Sequence, residues 1–462
     1  MNALINPPES ITHRLPLELL DQIIEHVQDK SDLARLSTTC KRLHIYARRI
    51  LYNTITLKVY TKPHTIYLLL RSLFRNPALP PLVKHFTIQR GGPANLDGPY
   101  VPVLDPAIRV LLEHALEPEY LKGKAWFQNV IDGDPLAAAA FIMWMLPELK
   151  TLKIDESVLG NAIVTAFWHI LRAERFIVTP ITTFRWDHLE SFDVGLNNSI
   201  PFPFGYSVFL LMQRCARLKS AKIPLSWGME WHFEPSGDTY TLPFLSKLVL
   251  SYVHHRRRVN RVGEFLMAVP NLKTFDYTYE LDLKEMVFSQ EALVRSLFYV
   301  KSTLEHLRIN LKRYLRYDKS LPASHIIRGK LVGLQDFSSL VSLEIWATVL
   351  LGCPDFSRGP PNLGALLPRN LKKLHLAEQL SETDQLRWFD KDYAELLRVF
   401  LSSWHEYTPD LEVLILEITT ENEEVEGQRV WKLLNEHSLE WKWRRITPGF
   451  EYTVNLRRET IS

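Results

Sequence analysis

The sequence predicts an α/β chain: a short N-terminal module of three helices, then an irregular solenoid with parallel strands inside and helices outside. Two patterns carry this expectation. Within residues 15–57, apolar side chains recur at helical spacing in three short runs. Beyond residue 61, apolar residues at positions i, i+3 and i+5 form a triplet that recurs ten times, with stretches of helical period between. The 462 residues, 46% of them apolar and 11% aromatic, suffice for a large core and more than one domain.

The first run sorts cleanly on helical axes. Pro16, Leu17, Leu19, Leu20, Ile23, Ile24 and Val27 share an arc of roughly 160°, with Glu18, Asp21, Gln22, Glu25, His26 and Gln28 opposite. That stripe is broader than a core-facing helix needs. Pro16 suits the first helical position, where its missing N–H costs nothing. Ser31 is the expected cap of a second helix carrying Leu33 and Leu36, and Cys40, Leu43, Ala47 and Ile50 step along a third. Three helices this short cover little surface. Two readings stay open: the stripe docks on the rest of the chain, or it meets another protein.

The string Leu15-Pro16-x-Glu18-Leu19-Leu20-x-x-Ile23, followed by Asp32-Leu33-x-x-Leu36-Ser37-x-x-Cys40-Lys41-x-Leu43 and Leu51-Tyr52, resembles the F-box, in particular the F-boxes of fungal proteins. The resemblance implies a docking module over residues 12–57 for a Skp-family adaptor and, through it, a cullin-RING ubiquitin ligase. The positions it carries over are Leu15, Pro16, Leu19, Leu20, Ile23, Leu33, Leu36, Ser37, Cys40 and Leu43. The pattern does not separate those that face the adaptor from those that face the module's own core.

The triplets are Val83/Phe86/Ile88, Leu149/Leu152/Ile154, Leu189/Phe192/Val194, Leu218/Ala221/Ile223, Leu245/Leu248/Leu250, Leu272/Phe275/Tyr277, Leu304/Leu307/Ile309, Leu340/Leu343/Ile345, Leu371/Leu374/Leu376 and Leu411/Leu414/Leu416. After a first step of 66 residues they follow at intervals of 27 to 40, near the length of a leucine-rich repeat, which the array resembles. The i+3 and i+5 residues alternate as a strand requires. Helical periods fall at 162–171, 208–215, 262–269, 291–300 and 393–404.

Two departures make the array irregular. Repeat length varies, and the Asn or Cys expected eight residues after the first leucine occurs only at Asn197, so the family's buried amide ladder is mostly absent. Residues 58–145 read as a capping and linker region with a turn-rich insertion, possessing room for a repeat whose strand shows no pattern, and residues 146–462 as the solenoid proper. The alternation Tyr452, Val454, Leu456 is placed to close the sheet, ahead of a frayed tail.

Composition bounds the function. With 55 basic against 52 acidic residues the net charge is +3, which points away from nucleic acid as a partner. The first residues hold no basic stretch leading into an apolar run, and the longest apolar run, 136–146, is too short for a bilayer, so an intracellular chain without membrane contact is expected. Cys40, Cys215 and Cys353 are scattered and odd in number, unlike a disulfide framework or zinc cluster. No phosphate loop, nucleophile elbow or paired-His helix is present in the sequence. His254 and His255 are adjacent, so their rings would not converge on a metal, and Asp132-Gly133-Asp134 reads as a turn. No catalytic residue, metal ligand or cofactor is expected.

In such a solenoid, positions i+2, i+4 and i+6 line the concave face, the natural place for a protein target. Arg308, Trp346 and His375 are the candidates there, Trp346 first because tryptophan and arginine dominate interface energetics. The basic run at 254–261 is either an anion or phosphopeptide pocket or a solvated loop, and the acidic run at 421–426 a solvated connection. The leading expectation is a substrate-recognition subunit of an SCF-type ubiquitin ligase holding an unidentified protein target. The alternatives are a non-degradative interaction scaffold with an F-box, and an enzyme with a cryptic site between residues 91 and 146.

Overall fold

The computed structural model describes residues 15–59, 63–89, 91, 106, 109–110, 125–155, 186–195, 212, 215–225, 241–253, 261–281, 288–313, 327–328, 330–352, 361–378, 390–418, 423–437, 439–446 and 449–456. The chain divides into two compact units: residues 1–195 with 214–217, and residues 196–213 with 218–462.

The first unit opens on α1 (Leu17–Glu25), α2 (Lys30–Thr39) and α3 (Lys41–Asn53). The sequence placed their starts almost correctly. Pro16 is the extended residue just before α1 rather than its first helical residue, with its carbonyl accepting from the Leu20 N–H at 3.2 Å. Asp29, not Ser31, caps α2; its carboxylate accepts from the Ser31 N–H, and that bond holds its pKa below the usual carboxylate range. Cys40 stands before α3, its Sγ accepting from the Leu43 N–H at 3.5 Å.

Helix α3 runs directly into β1 (Thr54–Lys58), which pairs in parallel with β2 (His85–Gln89), with helix α4 (Pro63–Arg75) between them in sequence. Strand β1 has no counterpart among the ten triplets: Ile55 and Leu57 are its buried pair, and the leading position falls on Tyr52 inside α3. Strand β2 pairs in turn with β3 (Thr151–Ile154), and β3 with β4 (Ser191–Val194). His85 lies opposite Thr151 and Ile88 opposite Ile154, so β2 and β3 are direct neighbours and no strand of a hidden repeat lies between them. The described part of the insertion is helical: α5 (Ala125–Ile131) and α6 (Pro135–Trp144), whose residues 136–143 are all buried. Gly133, at φ 89°, makes the turn between them, and Asp134 caps α6 by accepting from the N–H groups of Leu136 and Ala137.

The second unit is built on a mostly parallel sheet. Strands β5 (Ser220–Leu225), β6 (Lys247–Val253), β7 (Thr274–Leu281), β9 (His306–Arg313), β11 (Ser342–Trp346), β12 (Lys373–Glu378) and β13 (Val413–Ile418) are parallel neighbours in that order. Two further short strands, β8 (Phe288–Ser289) and β10 (Ile327–Arg328), pair with each other. Between the long strands run α7 (Arg261–Met267), α8 (Gln290–Leu297), α9 (Ala347–Leu351) and α10 (Asp390–Tyr407). After β13 come α11 (Glu423–Glu436), β14 (Glu440–Ile446) and β15 (Gly449–Asn455), with β15 antiparallel to β13 and β14 outermost. Residues 423–426, expected in a solvated connection, instead open α11. The helical periods expected at 262–269, 291–300 and 393–404 coincide with α7, α8 and α10, whereas 162–171, the basic run at 254–260 and Cys353 lie outside the described residues.

All ten triplets mark strands, the leading residue just before the strand and the other two on it, and each of their residues is at most 2% exposed. The register places like positions opposite one another; Leu307, Leu343, Leu374 and Leu414 form one continuous row. A second regularity appears at the strand entries. The carbonyl one residue after most of the leading residues accepts two N–H groups from the next unit, as Lys273 O does from Glu305 and His306, Glu305 O from Val341 and Ser342, and Val341 O from Lys372 and Lys373. Side chains at the residue before that leucine reach back the same way: Asn271 Nδ2 donates to Pro243 O (2.8 Å), Thr303 Oγ1 to Pro270 O (3.0 Å), Ser339 Oγ to Ser302 O (2.7 Å) and Asn370 Nδ2 to Leu340 O (3.1 Å). These short polar groups tie successive entry loops together at the surface, with only the Asn370 bond partly buried.

Candidate functional site

Two surfaces stand out, one in each unit. The first is α1. Its apolar arc is divided: Leu20 (3% exposed) and Ile24 (1%) turn inward, Ile24 meeting Leu33 (2%) and Ala47 (0%) in a small core flanked by Val27, Leu36, Leu43, Tyr46, Ile50 and Leu51. Leu19 and Ile23, one helical turn apart, stay 45% and 55% exposed. The inward edge is set by charge, since Arg49 of α3 lies 3.4 Å from Asp21 and 3.5 Å from Glu25. Arg42 adds a hydrogen bond to the Leu15 carbonyl at 3.1 Å.

The ten positions carried over by the F-box resemblance therefore separate. Pro16, Leu19 and Ile23 are exposed; Leu20 and Leu33 are core; Leu15, Leu36, Ser37, Cys40 and Leu43 are half-buried. Ser37 and Cys40 also serve their own backbone, the Ser37 hydroxyl donating to Ala34 O at 2.6 Å and Cys40 capping α3. The sequence reading missed Ile45, 68% exposed on α3; its place outside the 3-4-3 stripe was the available signal.

The second surface is the open face of the sheet in the second unit. At position i+4 the parallel register sets Asp276, Arg308, Glu344 and His375 side by side on β7, β9, β11 and β12. Arg308 Nε stands 2.8 Å from Glu344 Oε1, and Arg308 Nη1 3.7 Å from Asp276 Oδ2. His375 is held between two carboxylates, with Nδ1 3.8 Å from Glu344 and Nε2 3.5 Å from Glu417 of β13. The Nε2 contact is an ion pair without hydrogen-bond geometry. Charge therefore alternates across five strands.

The ladder is half-buried, and that shapes its protonation. Burial lowers the pKa of His375, but the carboxylates of Glu344 and Glu417 outweigh it and raise the group to about 9. For Glu344 burial works upward, and His375, Arg308 and Lys373 overcome it to leave the carboxyl below its ordinary value. Asp276 goes the other way: burial, with Glu344 nearby, exceeds the help of Arg308, Lys247 and Lys222, and its pKa is raised. His375 is thus a cation near neutral pH.

Of the three target-contact candidates, Arg308 and His375 are brought together through Glu344. Trp346 is not available as expected. Strand β11 ends there and turns at once into α9, all of whose residues are buried, so the indole is only 4% exposed. The i+6 rule assumed a strand that runs on, and this one stops. Glu344 and Glu417, which organise the ladder, are residues the sequence reading did not single out; the i+4 register was the signal for the first.

Among the described residues no group of three or more His, Cys, Asp and Glu side chains is placed to hold a metal, and no helix is long and apolar enough to cross a membrane.

Residues 12–58 match the F-box-like family model, so the three helices and β1 constitute an F-box-like domain. No curated protein matches the chain. F-box domains typically bind Skp-type adaptors, which supports an adaptor of that kind as a partner of this domain.

Proposed function

We propose that this protein is the substrate-recognition subunit of an SCF-type ubiquitin ligase, acting inside the cell. The F-box-like domain docks on a Skp-family adaptor through Pro16, Leu19 and Ile23, and the adaptor joins the chain to a cullin-RING core. The carrying observation is that Leu19 and Ile23 stay exposed on the first helix of an F-box-like domain, a kind of domain that typically binds Skp-type adaptors. Large apolar side chains set one turn apart on a helix are costly to leave in water and favourable to cover.

We read the strand array as an irregular leucine-rich-repeat-like solenoid whose open face holds a protein target, with Arg308 and His375 among the contacts. The continuous leucine row and the stitched entry loops support that reading. No side-chain chemistry is assigned to the chain. Its contribution is proximity: a bound target is held at high effective concentration near a charged ubiquitin carrier, and other subunits carry out the transfer.

The test is reconstitution. The full chain should co-purify with a Skp-family adaptor and cullin, and proteins bound to it should accumulate under proteasome inhibition and persist longer when it is deleted. Bound partners of unchanged half-life would leave a scaffold, and absence of adaptor binding would end the ligase reading.

A further inference from the structure

Helix α3 carries four Lys and Arg side chains and no acidic residue, and the fold engages only two of the four. Arg42 donates to the Leu15 carbonyl, and Arg49 meets Asp21 and Glu25 of α1. Lys41 and Arg48 make no hydrogen bond or ion pair among the described residues. Arg48 Nη2 is even shut off from solvent without an acceptor, a costly state for a cation. The carboxylates of α2 are engaged elsewhere: Asp29 accepts from the Ser31 N–H, and Asp32 stands 3.6 Å from Arg35.

The two unmatched cations share a stripe. Lys41, Ile45, Arg48 and Tyr52 follow one another at helical steps of 4, 3 and 4, nearly opposite the inward stripe of Leu43, Ala47 and Ile50. Lys41 is exposed, Ile45 is 68% exposed, and Arg48 and Tyr52 are half-buried. Ile45 and Tyr52 make the stripe apolar along its length, while Lys41 and Arg48 make it cationic.

This stripe is separate from the exposed pair on α1. Asp21 and Glu25, which hold Arg49, lie nearly opposite Leu19 and Ile23 on that helix. Ile45 lies one turn before Arg49 on α3, on the side away from the core, so the stripe continues along the flank of the domain that Leu19 and Ile23 do not occupy.

We propose that the Lys41–Ile45–Arg48–Tyr52 stripe docks an acidic amphipathic helix of a partner protein other than the adaptor. Lys41 and Arg48 are seven residues apart, about 10.5 Å along the axis. A helix laid along α3 meets both with carboxylates at the same seven-residue spacing and covers Ile45 with an apolar residue between them. Arg48 then gains the anion that its own chain does not supply. A second copy of this chain fits poorly, because two cationic stripes would face each other, and a nucleic acid would leave Ile45 and Tyr52 uncovered. The proposal needs nothing from Leu19, Ile23 or an adaptor.

The test is selection from a displayed library of helical peptides, about 20 residues long and randomised on one face, on the full-length chain. Parallel selections use Ile45→Ala and the Lys41→Glu, Arg48→Glu pair. Peptides enriched on the unaltered chain should carry Asp or Glu seven residues apart with an apolar residue between. In fluorescence anisotropy an enriched peptide should bind at least about tenfold more weakly to Ile45→Ala and to Arg48→Gln, and the charge-reversed pair should select basic peptides. Titration of a Skp-family adaptor into Ile45→Ala should match the unaltered chain. If neither binds an adaptor, the ligase reading falls while the peptide results still decide this one. Arg48→Met should melt at or above the temperature of the unaltered chain. The same enriched peptides on all three proteins, tighter binding of a single-stranded DNA than of any peptide, loss of adaptor binding in Ile45→Ala alone, or a fall in melting temperature for Arg48→Met would each overturn the proposal. Unchanged circular dichroism of the variants separates loss of docking from loss of fold.

Discussion

The F-box-like domain and the strand array bury apolar residues in opposite proportion. In the domain a core of Ile24, Leu33 and Ala47 is ringed by partly covered side chains, while Leu19, Ile23 and Ile45 remain in water. In the array every triplet residue is sealed, and the outward positions are mostly polar, with carboxylates and cations that neutralise one another along the ladder. Apolar surface at the domain is thus spare to its own fold and available to a partner. At the array the spare capacity is ionic and is mostly spent within the sheet. An alanine scan should therefore read as binding loss in one region and stability loss in the other.

The largest stability effect is expected in the leucine row. Leu374 is fully buried between Leu343 and Leu414, so Leu374→Ala should cost about 2–5 kcal/mol, read from denaturant unfolding of the intact chain. An equal effect from Ser342→Ala, on the open face of the neighbouring strand, would mean the two faces are not distinct.

Smaller effects follow for the entry loops. Asn370→Ala removes the bond to the Leu340 carbonyl and should cost about 1 kcal/mol, with hydrogen exchange at Lys372 and Lys373 rising before global unfolding. No change in exchange would separate the side-chain ladder from the stitching of strand entries.

The pH dependence is of similar size. A histidine with a folded pKa of about 9, above its ordinary value of 6.5, gives stability that is whole below about pH 6.5 and is lost as pH rises through about 9. The loss should be on the order of 1 kcal/mol, below what the full shift would give, because the carboxylates that hold the proton are partly open to solvent. Unfolding midpoints compared at about pH 6 and about pH 10 should fall more for the unaltered chain than for His375→Gln. Parallel falls would show that the Glu344 and Glu417 carboxylates do not hold the proton.

The leucine rows were legible because period-2 alternation and a fixed lead-in survive changes in repeat length, and all ten triplets became strands. What escaped notice depended on groups outside that pattern. Strand β1 was hidden because Tyr52, its leading residue, belongs to a helix. The stitching of entry loops was hidden because Asn, Thr and Ser perform the same bond at one position, and no single residue type recurs there. Trp346 was misplaced because strand length, which depends on where α9 begins, is not written in strand alternation. On α1 the width of the apolar arc was legible, but its division into Leu20 and Ile24 inside and Leu19 and Ile23 outside required the position of α3.

The central claim is that the exposed half of α1 binds an adaptor while contributing little to folding. Calorimetric titration of a Skp-family adaptor into the full chain, with melting temperatures measured on the same samples, tests it most directly. The Leu19→Ala, Ile23→Ala pair should weaken binding at least about tenfold and leave the melting temperature close to that of the unaltered chain. Unchanged affinity in the pair, or a melting temperature that falls as far as for Leu33→Ala, would contradict it.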